Sequence, residues 1–325
     1  MRALQVSQLA PDHAGCAIAD LPRPEPGPGE VRVRVRAAAV NFPDLLMTRG
    51  AYQLKPELPF VPGLEFSGEV DAVGAGVEGW APGDAVIGGN RFGAMAEYCI
   101  VPAAALRRKP AALDWAAAAA CPVAYLTAYV ALVRCARVAP GDWVLVHGAA
   151  GGVGLATVDL ARGLGARVIA AASSPAKRDA IAALYTPDAV IEAAPGFRET
   201  VKALTEGKGA DVIVDPVGGD VFDESARCIA FGGRLLVVGF ASGRIPEISV
   251  NIPLIKGFSV VGVRAGEYGR RFPERGAENI TAIDALAESG AIRPHVHAVL
   301  DLADWRAGFA MLERREVVGK VVLTP

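Results

Sequence analysis

Hydrophobic and polar positions follow two different patterns along this chain of 325 residues. In the first hundred or so residues, short runs alternate apolar with polar side chains, as in VRVRVRAAAV at 31–40, and Gly and Pro separate the runs. A period of two places every second side chain on the same face of a strand. The pattern therefore predicts a mostly antiparallel β domain with one buried face.

From about Leu113 the pattern changes to Ala-rich helical sequence and then to strands alternating with helices. WVLV at 143–146, RVIAAA at 167–172 and RLLVV at 234–238 are continuous apolar runs typical of buried strands. SPAKRDAIAALY at 174–185 predicts a helix that begins after a Ser cap, with Pro in its first turn. Such alternation predicts a parallel sheet that helices cover on both faces.

Composition and charge exclude several classes of partner. The 33 basic and 35 acidic side chains nearly balance, and no basic or acidic block runs along the chain. The charge balance therefore argues against nucleic acid and anionic membrane surfaces as partners. The five cysteines are scattered and odd in number, which argues against a disulfide framework. No apolar run is long enough to span a bilayer, and the N-terminus lacks a signal pattern, so we expect a cytoplasmic protein.

A glycine-rich loop gives the strongest chemical signal. Gly148, Gly151 and Gly154 stand three residues apart, between a predicted strand and a predicted helix. Glycines let the backbone turn sharply and approach a pyrophosphate, whose charge the N–H groups at the helix start stabilise. The loop predicts a dinucleotide cofactor. The residues expected to contact it here are Ala150, Gly151, Gly152, Val153 and Gly154.

The end of the second predicted strand indicates which dinucleotide binds. NAD is normally recognised there by an acidic side chain that bonds the ribose hydroxyls. This chain has Ser173 and Ser174, followed by Lys177 and Arg178. Two hydroxyls and a cation suit a 2′-phosphate, so NADPH is predicted in preference to NADH. The alternative is that Lys177 and Arg178 form only a solvated helix face.

Motifs along nearly the whole chain resemble the zinc-independent quinone oxidoreductase branch of the medium-chain dehydrogenase/reductase superfamily, the ζ-crystallin-like proteins. The resemblance implies an α/β fold, in which a GroES-like, mostly β catalytic domain accompanies a Rossmann cofactor domain with a doubly wound parallel sheet. The implied boundaries are 1–118 with 265–325 for the catalytic domain, and 119–264 for the NADPH-binding domain. Besides the glycine loop, the motifs are NFPDLLMTRGAYQ, LPFVPGLEFSGEV, AMAEYCIVPA, CPVAYLTAY, VDPVGG, LVVGF and GKVVLTP.

The positions at which zinc-containing relatives carry ligands are changed in this chain. By the resemblance, their Cys corresponds to Asn41, their His to Leu64 and their third ligand to Val123, although Asp44 and Glu65 are kept. A zinc site needs about three protein ligands with N, S or O atoms. We therefore expect neither zinc nor any other metal. Asp44 and Glu65 are interpreted as structural polar groups.

The resemblance also implies roles for individual residues. Asn41 and Tyr52 would line the active cleft as candidate catalytic residues, with Tyr52 bonding the substrate carbonyl or donating a proton. Each has a simpler alternative, since Tyr52 suits packing and Asn41 suits a turn. The remaining implied contacts to the cofactor come from Asn41, Thr127, Val217, Gly239 and Phe240. Lys320 could reach the cofactor or be a solvated lysine. A tyrosine found in many relatives is replaced by Ala193, which removes one expected contact near the adenine ribose.

Without a metal, hydride transfer to a quinone is the predicted reaction, because a quinone delocalises the incoming charge onto its own oxygen. A second possibility is reduction of α,β-unsaturated carbonyls, such as 2-alkenals, enones or enoyl thioesters including acryloyl-CoA, for which RAGEYGRRF at 264–272 offers a basic cluster. A possibility of another class is a non-catalytic RNA-binding or crystallin-like protein. The strands RLLVVGF and SVVGV suggest a homodimer.

Overall fold

The computed structural model describes all residues from Met1 to Pro325. The strands are β1 (Arg2–Val6), β2 (Cys16–Asp20), β3 (Glu30–Ala39), β4 (Glu65–Val73), β5 (Ala85–Gly89), β6 (Tyr98–Pro102), β7 (Leu106–Arg108), β8 (Trp143–Val146), β9 (Arg167–Ala172), β10 (Ala189–Glu192), β11 (Ala210–Asp215), β12 (Ile229–Val237), β13 (Ser259–Gly262), β14 (Val296–Asp301) and β15 (Lys320–Thr324). The α-helices are α1 (Phe42–Thr48), α2 (Trp115–Ala120), α3 (Pro122–Tyr129), α4 (Gly152–Gly163), α5 (Pro175–Tyr185), α6 (Phe197–Leu204), α7 (Asp220–Ser225), α8 (Asn251–Lys256), α9 (Ala265–Arg271), α10 (Pro273–Glu288) and α11 (Trp305–Glu313). A π-helix follows α3 at Val130–Ala136.

The chain forms two compact units. The first comprises Met1–Val123 and Pro294–Pro325, and the second comprises Ala124–Arg293. This division differs from the predicted boundaries, because residues 119–123 group with the first unit and residues 265–293 group with the second. The reason is that α10 is bonded to the π-helix of that unit: Arg134 donates to Asn279 over 2.7 Å and pairs with Glu278 over 2.7 Å.

The first unit is built on a seven-stranded sheet in the order β14-β15-β3-β4-β5-β7, with β6 also paired to β3. Its strand pairs are antiparallel apart from β14 and β15, which confirms the predicted β domain. In β3 the alternating Val31, Val33 and Val35 are buried, as the period of two predicts. Arg32 is buried as well, because its guanidinium pairs with Asp71 over 2.5 Å.

The second unit is built on a six-stranded parallel sheet in the order β10-β9-β8-β11-β12-β13. The chain winds outward from β8 to β10 and then returns to place β11 on the other side of β8. This is the doubly wound order with its switch point between β8 and β11, where such sheets bind ligands. The predicted Rossmann fold is confirmed. None of the helices in either unit has the length and apolarity to cross a membrane.

Candidate functional site

The glycine loop of the second unit lies at the switch point of its sheet. After β8, Gly148 adopts a φ of +55°, in the left-handed region that favours glycine. Ala149 and Ala150 are buried, and Gly151 immediately precedes the first residue of α4. The first backbone N–H groups of a helix have no intrahelical partner, so they are available to an anion. The loop thus presents donors where a pyrophosphate would lie.

Gly154 is required by the way α4 packs on this loop. A Cβ atom added at this position would lie 2.2 Å from the carbonyl oxygen of Gly148 and 2.8 Å from its carbonyl carbon. Both atoms belong to the backbone, so they cannot rotate away as a side chain could. The third glycine of the motif therefore brings the helix start against the turn, the arrangement that a dinucleotide-binding loop needs.

The predicted cofactor residues of the second unit gather at one edge of the parallel sheet. The carboxyl ends of parallel strands share an edge, so the loops after β8, β9, β11 and β12 meet there. Those loops and the helix starts that follow them contain Ala150, Gly151, Gly152, Val153, Gly154, Ser173, Ser174, Lys177, Val217, Gly239 and Phe240. Thr127 lies in α3 instead, and Asn41 belongs to the first unit.

The loop after β11 is held rigid beside the glycine loop. The buried carboxylate of Asp215 accepts hydrogen bonds from the backbone N–H groups of Val217 and Gly218 over 2.8 and 2.9 Å. Burial raises the pKa of Asp215, while these two donors act in the opposite direction. A Cβ added to Gly148 would lie 3.4 Å from a methyl carbon of Val217. The loop after β11 therefore packs closely against the glycine loop.

The two hydroxyls expected near a 2′-phosphate, those of Ser173 and Ser174, differ in their hydrogen bonds. Ser174 caps α5, since its Oγ accepts a hydrogen bond from the backbone N–H of Lys177 over 3.4 Å. Ser173 is exposed at the end of β9. Ser174 thus keeps its hydroxyl proton for a ligand, and Ser173 keeps both its donor and its acceptors.

In the first unit, Asn41 and Asp44 define the start of α1. The Asp44 carboxylate accepts from the backbone N–H groups of Asn41 over 2.8 Å and of Gly63 over 3.0 Å. Complete burial raises the pKa of Asp44 to about 7, although these donors and the charge of Lys320 oppose the rise. Gly63 has a φ of +110°, and a Cβ there would lie 2.6 Å from the backbone nitrogen of Met95. This packing explains the glycine in VPGLE.

Glu65 lies at the centre of a buried polar cluster. Its Oε1 accepts from Asn41 Nδ2 over 2.9 Å and from Lys320 Nζ over 2.8 Å, and its Oε2 accepts from the backbone N–H of Val123 over 2.7 Å. Lys320 Nζ also donates to Asn41 Oδ1 over 2.6 Å. Glu65 is fully buried and Lys320 is only 7% exposed. We refer to Asn41, Asp44, Glu65 and Lys320 as the Glu65 cluster.

The role of Lys320 was not foreseen from the sequence. A solvated lysine was one expectation and contact with the cofactor was the other, but its ammonium pairs with Glu65 inside the first unit. The sequence gives only a weak signal that Lys320 is buried. Lys320 is the first residue of the apolar strand β15, and the first residue of a strand can be either buried or exposed.

The residues at the former ligand positions do not fit zinc. Asn41, Leu64 and Val123 offer one amide and two aliphatic side chains, and the oxygens of neighbouring Glu65 are already bonded. Nowhere in the structure do three or more His, Cys, Asp or Glu side chains converge as a metal site. The donor set is thus too small for a protein zinc site.

The hydrogen bonds of Asn41 restrict what it can offer a ligand. Both N–H groups of its amide are used, by Glu65 and by the carbonyl of Ala39 at 3.2 Å. Its Oδ1 accepts from Lys320 and retains one lone pair. Asn41 can therefore accept a hydrogen bond but cannot readily donate one.

Tyr52 is placed differently from Asn41. Its ring is partly buried and packs against the core of the first unit, and no protein group hydrogen-bonds its hydroxyl. The hydroxyl is therefore available to a ligand as a donor or an acceptor.

Comparisons with known proteins agree with this fold. Family models described as "Alcohol dehydrogenase GroES-like domain" and "Zinc-binding dehydrogenase" match residues 27–111 and 152–283. The quinone oxidoreductase-like protein 2 homolog of Nematostella vectensis is 41% identical over 290 residues, which cover 88% of this chain and 79% of the relative. A mycobacterial protein solved in complex with NADPH superposes with a TM-score of 0.91 at 32% identity, covering 100% of each chain. JamJ enoyl reductase superposes with a TM-score of 0.87 at 26% identity, covering 99% of this chain and 98% of the other.

The two folds and these matches define an enzyme of the medium-chain dehydrogenase/reductase superfamily. Within that superfamily, the chain belongs to the quinone oxidoreductase branch, which confirms the family predicted from its motifs. One family model is described as zinc-binding, but the ligand positions here hold Asn41, Leu64 and Val123.

Proposed function

We propose that this enzyme is a metal-free, NADPH-dependent oxidoreductase that transfers hydride to quinones. The Glu65 cluster is the observation that carries the proposal. The cation that balances its buried carboxylate is Lys320, and the neighbouring ligand positions lack metal donors. The quinone oxidoreductase-like relative supports the substrate class, and the mycobacterial protein solved with NADPH supports the cofactor.

Quinone reduction is the chemistry that best suits a site without a Lewis acid. Oxidising an alcohol requires a group that stabilises an alkoxide, usually a metal or a general base. A quinone accepts hydride and one proton to become a hydroquinone, and its own carbonyl oxygen carries the developing charge. Bound NADPH would supply the hydride and leave as NADP⁺. The protein then has to position the quinone, exclude water and provide a proton.

Each group of residues has a proposed task. The N–H groups of the glycine loop would hold the pyrophosphate, and Ser173, Ser174 and Lys177 would hold the 2′-phosphate. The backbone at Val217, Gly239 and Phe240 would hold the carboxamide of the nicotinamide, with Thr127 nearby. Asn41 would accept a hydrogen bond from a ligand hydroxyl through its remaining lone pair.

Tyr52→Phe is expected to lower kcat with a quinone by about tenfold, because the variant keeps the ring packing and loses only the unpartnered hydroxyl. The Kd for NADPH should stay unchanged, as measured by fluorescence titration. Tyr98→Phe in β6 is the matched control, since it removes another tyrosine hydroxyl from the same unit. A kcat for Tyr52→Phe within twofold of the unaltered enzyme would remove Tyr52 from the proposed mechanism.

The substrate class can be tested directly. NADPH oxidation is followed at steady state with 1,4-benzoquinone, 2-hexenal and acryloyl-CoA, each repeated with NADH. We expect the highest kcat/KM with benzoquinone and NADPH, and no zinc above background by elemental analysis of the purified protein. Turnover with none of the three acceptors would refute both the quinone and the alkene proposals, and stoichiometric zinc would refute the metal-free one.

Reduction of an activated alkene is the second candidate, and the similarity to JamJ enoyl reductase favours it. The structure gives less support for a CoA thioester, because two arginines of the basic cluster proposed for its phosphates already share one carboxylate partner. Arg270 and Arg271 both pair with Glu267, over 3.0 and 2.8 Å, at the surface of α9. A small enal or enone is therefore the better alternative substrate.

A homodimer is proposed from an exposed apolar patch beside β13. This strand ends the sheet and pairs only with β12. The first four residues of RLLVVGF lie in β12 itself, which has a neighbouring strand on each side and therefore no free edge. Large apolar side chains around β13 are exposed to solvent. Monomeric proteins rarely expose a large contiguous apolar patch. These side chains are Phe231, Ile245, Val250, Leu254, Ile255 and Val260.

Leu254→Glu combined with Ile255→Glu is expected to give a monomer. Both native side chains are at least three-quarters exposed in the single chain, and in a dimer the two new carboxylates would lose their water in the interface, which costs free energy. Light scattering after size exclusion should show 33.6 kDa for the variant and twice that mass for the unaltered protein. Leu9→Glu, at an exposed leucine of the first unit, should stay dimeric. A monomeric unaltered protein would disprove the proposed assembly.

A further inference from the structure

An ion pair lies across the carboxyl ends of β9 and β10. Ala172 and Glu192 are the last residues of these strands and are register partners in the sheet. Arg178, in the first turns of α5, places Nη1 3.4 Å from the carbonyl oxygen of Ala172 and 3.9 Å from Glu192 Oε1. One guanidinium therefore bridges the two strand ends at the edge where the predicted cofactor residues gather.

The two partners differ in how firmly they are held. The side chain of Arg178 is 23% exposed, whereas that of Glu192 is 62% exposed. The guanidinium is partly enclosed and also bonded to a backbone carbonyl, so it has a defined position without its anion. Glu192 has only a long, solvent-screened contact, and such pairs are weak. The carboxylate is thus the partner that another anion can displace.

The location indicates which anion that is. In dinucleotide-binding folds, the adenosine ribose meets the end of the second strand, where an acidic residue bonds the 2′-hydroxyl or an arginine accepts the 2′-phosphate. β9 is the second strand of this sheet, and its end carries Ser173 in place of an acidic residue. A phosphate group carries more charge than a carboxylate and matches the guanidinium fork in two bonds.

We propose that the Arg178–Glu192 pair sets the coenzyme preference of this enzyme. Arg178 binds the 2′-phosphate, and Glu192 is an internal anion that competes for the same guanidinium and so limits the preference for NADPH. This inference rests on the proposed cofactor site and adds a specificity device to it. Its residues lie outside the glycine loop, so they can be altered without disturbing the pyrophosphate contacts.

The test uses two adenosine nucleotides that differ only in the 2′-phosphate. Kd values for 2′,5′-ADP and 5′-AMP are measured by calorimetry on the full-length protein. Arg178→Gln is expected to weaken 2′,5′-ADP at least tenfold and to leave 5′-AMP within twofold. Glu192→Gln should tighten 2′,5′-ADP about threefold to tenfold at low salt, less at high salt. Arg314→Gln, which removes a surface arginine paired with Glu316 in the first unit, is the control and should change neither.

The outcomes separate this inference from the cofactor proposal. If the unaltered protein binds 5′-AMP but shows no preference for 2′,5′-ADP, or if Arg178→Gln keeps that preference, the Arg178 assignment is overturned and the cofactor site stands. If Glu192→Gln does not tighten 2′,5′-ADP, Glu192 is not a competitor. Binding of neither nucleotide would overturn the cofactor site together with the inference.

Discussion

Gly154→Ala is expected to raise the Kd for NADPH at least a hundredfold. The added methyl group would lie 2.2 Å from the Gly148 carbonyl oxygen, so the start of α4 has to move away from the glycine loop. That movement withdraws the helix N–H groups from the pyrophosphate and opens the close packing that the third glycine permits. Titration of NADPH fluorescence against the purified variant measures the loss.

Gly163→Ala is the matched control, because it makes the same chemical change in the same helix. Gly163 is the last residue of α4, and a Cβ there would meet no atom within 4 Å. Alanine favours the helix over glycine by roughly 0.5–1 kcal/mol, so this variant should bind NADPH normally and unfold at an equal or higher temperature. NADPH affinity of Gly154→Ala within threefold of the control would show that the loop does not bind the cofactor as proposed.

Lys320→Met is expected to destabilise the first unit by about 3–5 kcal/mol, because it leaves the fully buried Glu65 without its cation. The midpoint of thermal unfolding should fall by roughly 10 °C, which differential scanning calorimetry measures. Lys208→Met, at an exposed lysine of the second unit, should change the midpoint by less than about 2 °C.

A double variant separates the charge from the packing in this prediction. Glu65→Gln with Lys320→Met removes both charges, and much of the stability lost in the single variant should return, since no uncompensated ion remains buried. If Lys320→Met alone unfolds at the same temperature as the unaltered protein, the ion pair does not stabilise the cluster. If the double variant is less stable than the single one, the polar contacts of Glu65 matter more than its charge.

The Glu65 cluster changes the interpretation of the metal-ligand positions. Taken alone, Leu64 suggests a zinc site that has lost one ligand. The structure shows a carboxylate whose two oxygens accept three hydrogen bonds, from Asn41, Lys320 and the backbone of Val123. Two of the three former ligand positions, Asn41 and Val123, therefore contribute to this buried polar network. Leu64 packs against the apolar core beside it.

Much of the fold could be predicted because it depends on short-range patterns. The alternation of valine and arginine defines β3, the Ser174 cap defines the start of α5, and apolar runs between helices define the parallel sheet. Each signal is a period or a residue preference within about ten neighbours, which the linear chain displays directly. The boundary at Arg293 could not be predicted, because it depends on Arg134 reaching α10 across more than a hundred residues.

The sequence by itself determined the family, the glycine loop and the identity of the residues at the ligand positions, because these follow from residue type and local spacing. Only the tertiary structure decided the contacts among those residues. Lys320 meets Asn41 across 279 positions of sequence, and Arg178 meets Glu192 because β9 and β10 are neighbours in the sheet. The reason is physical: where a charged side chain finds its partner depends on how distant strands pair and bury it, which no local period encodes.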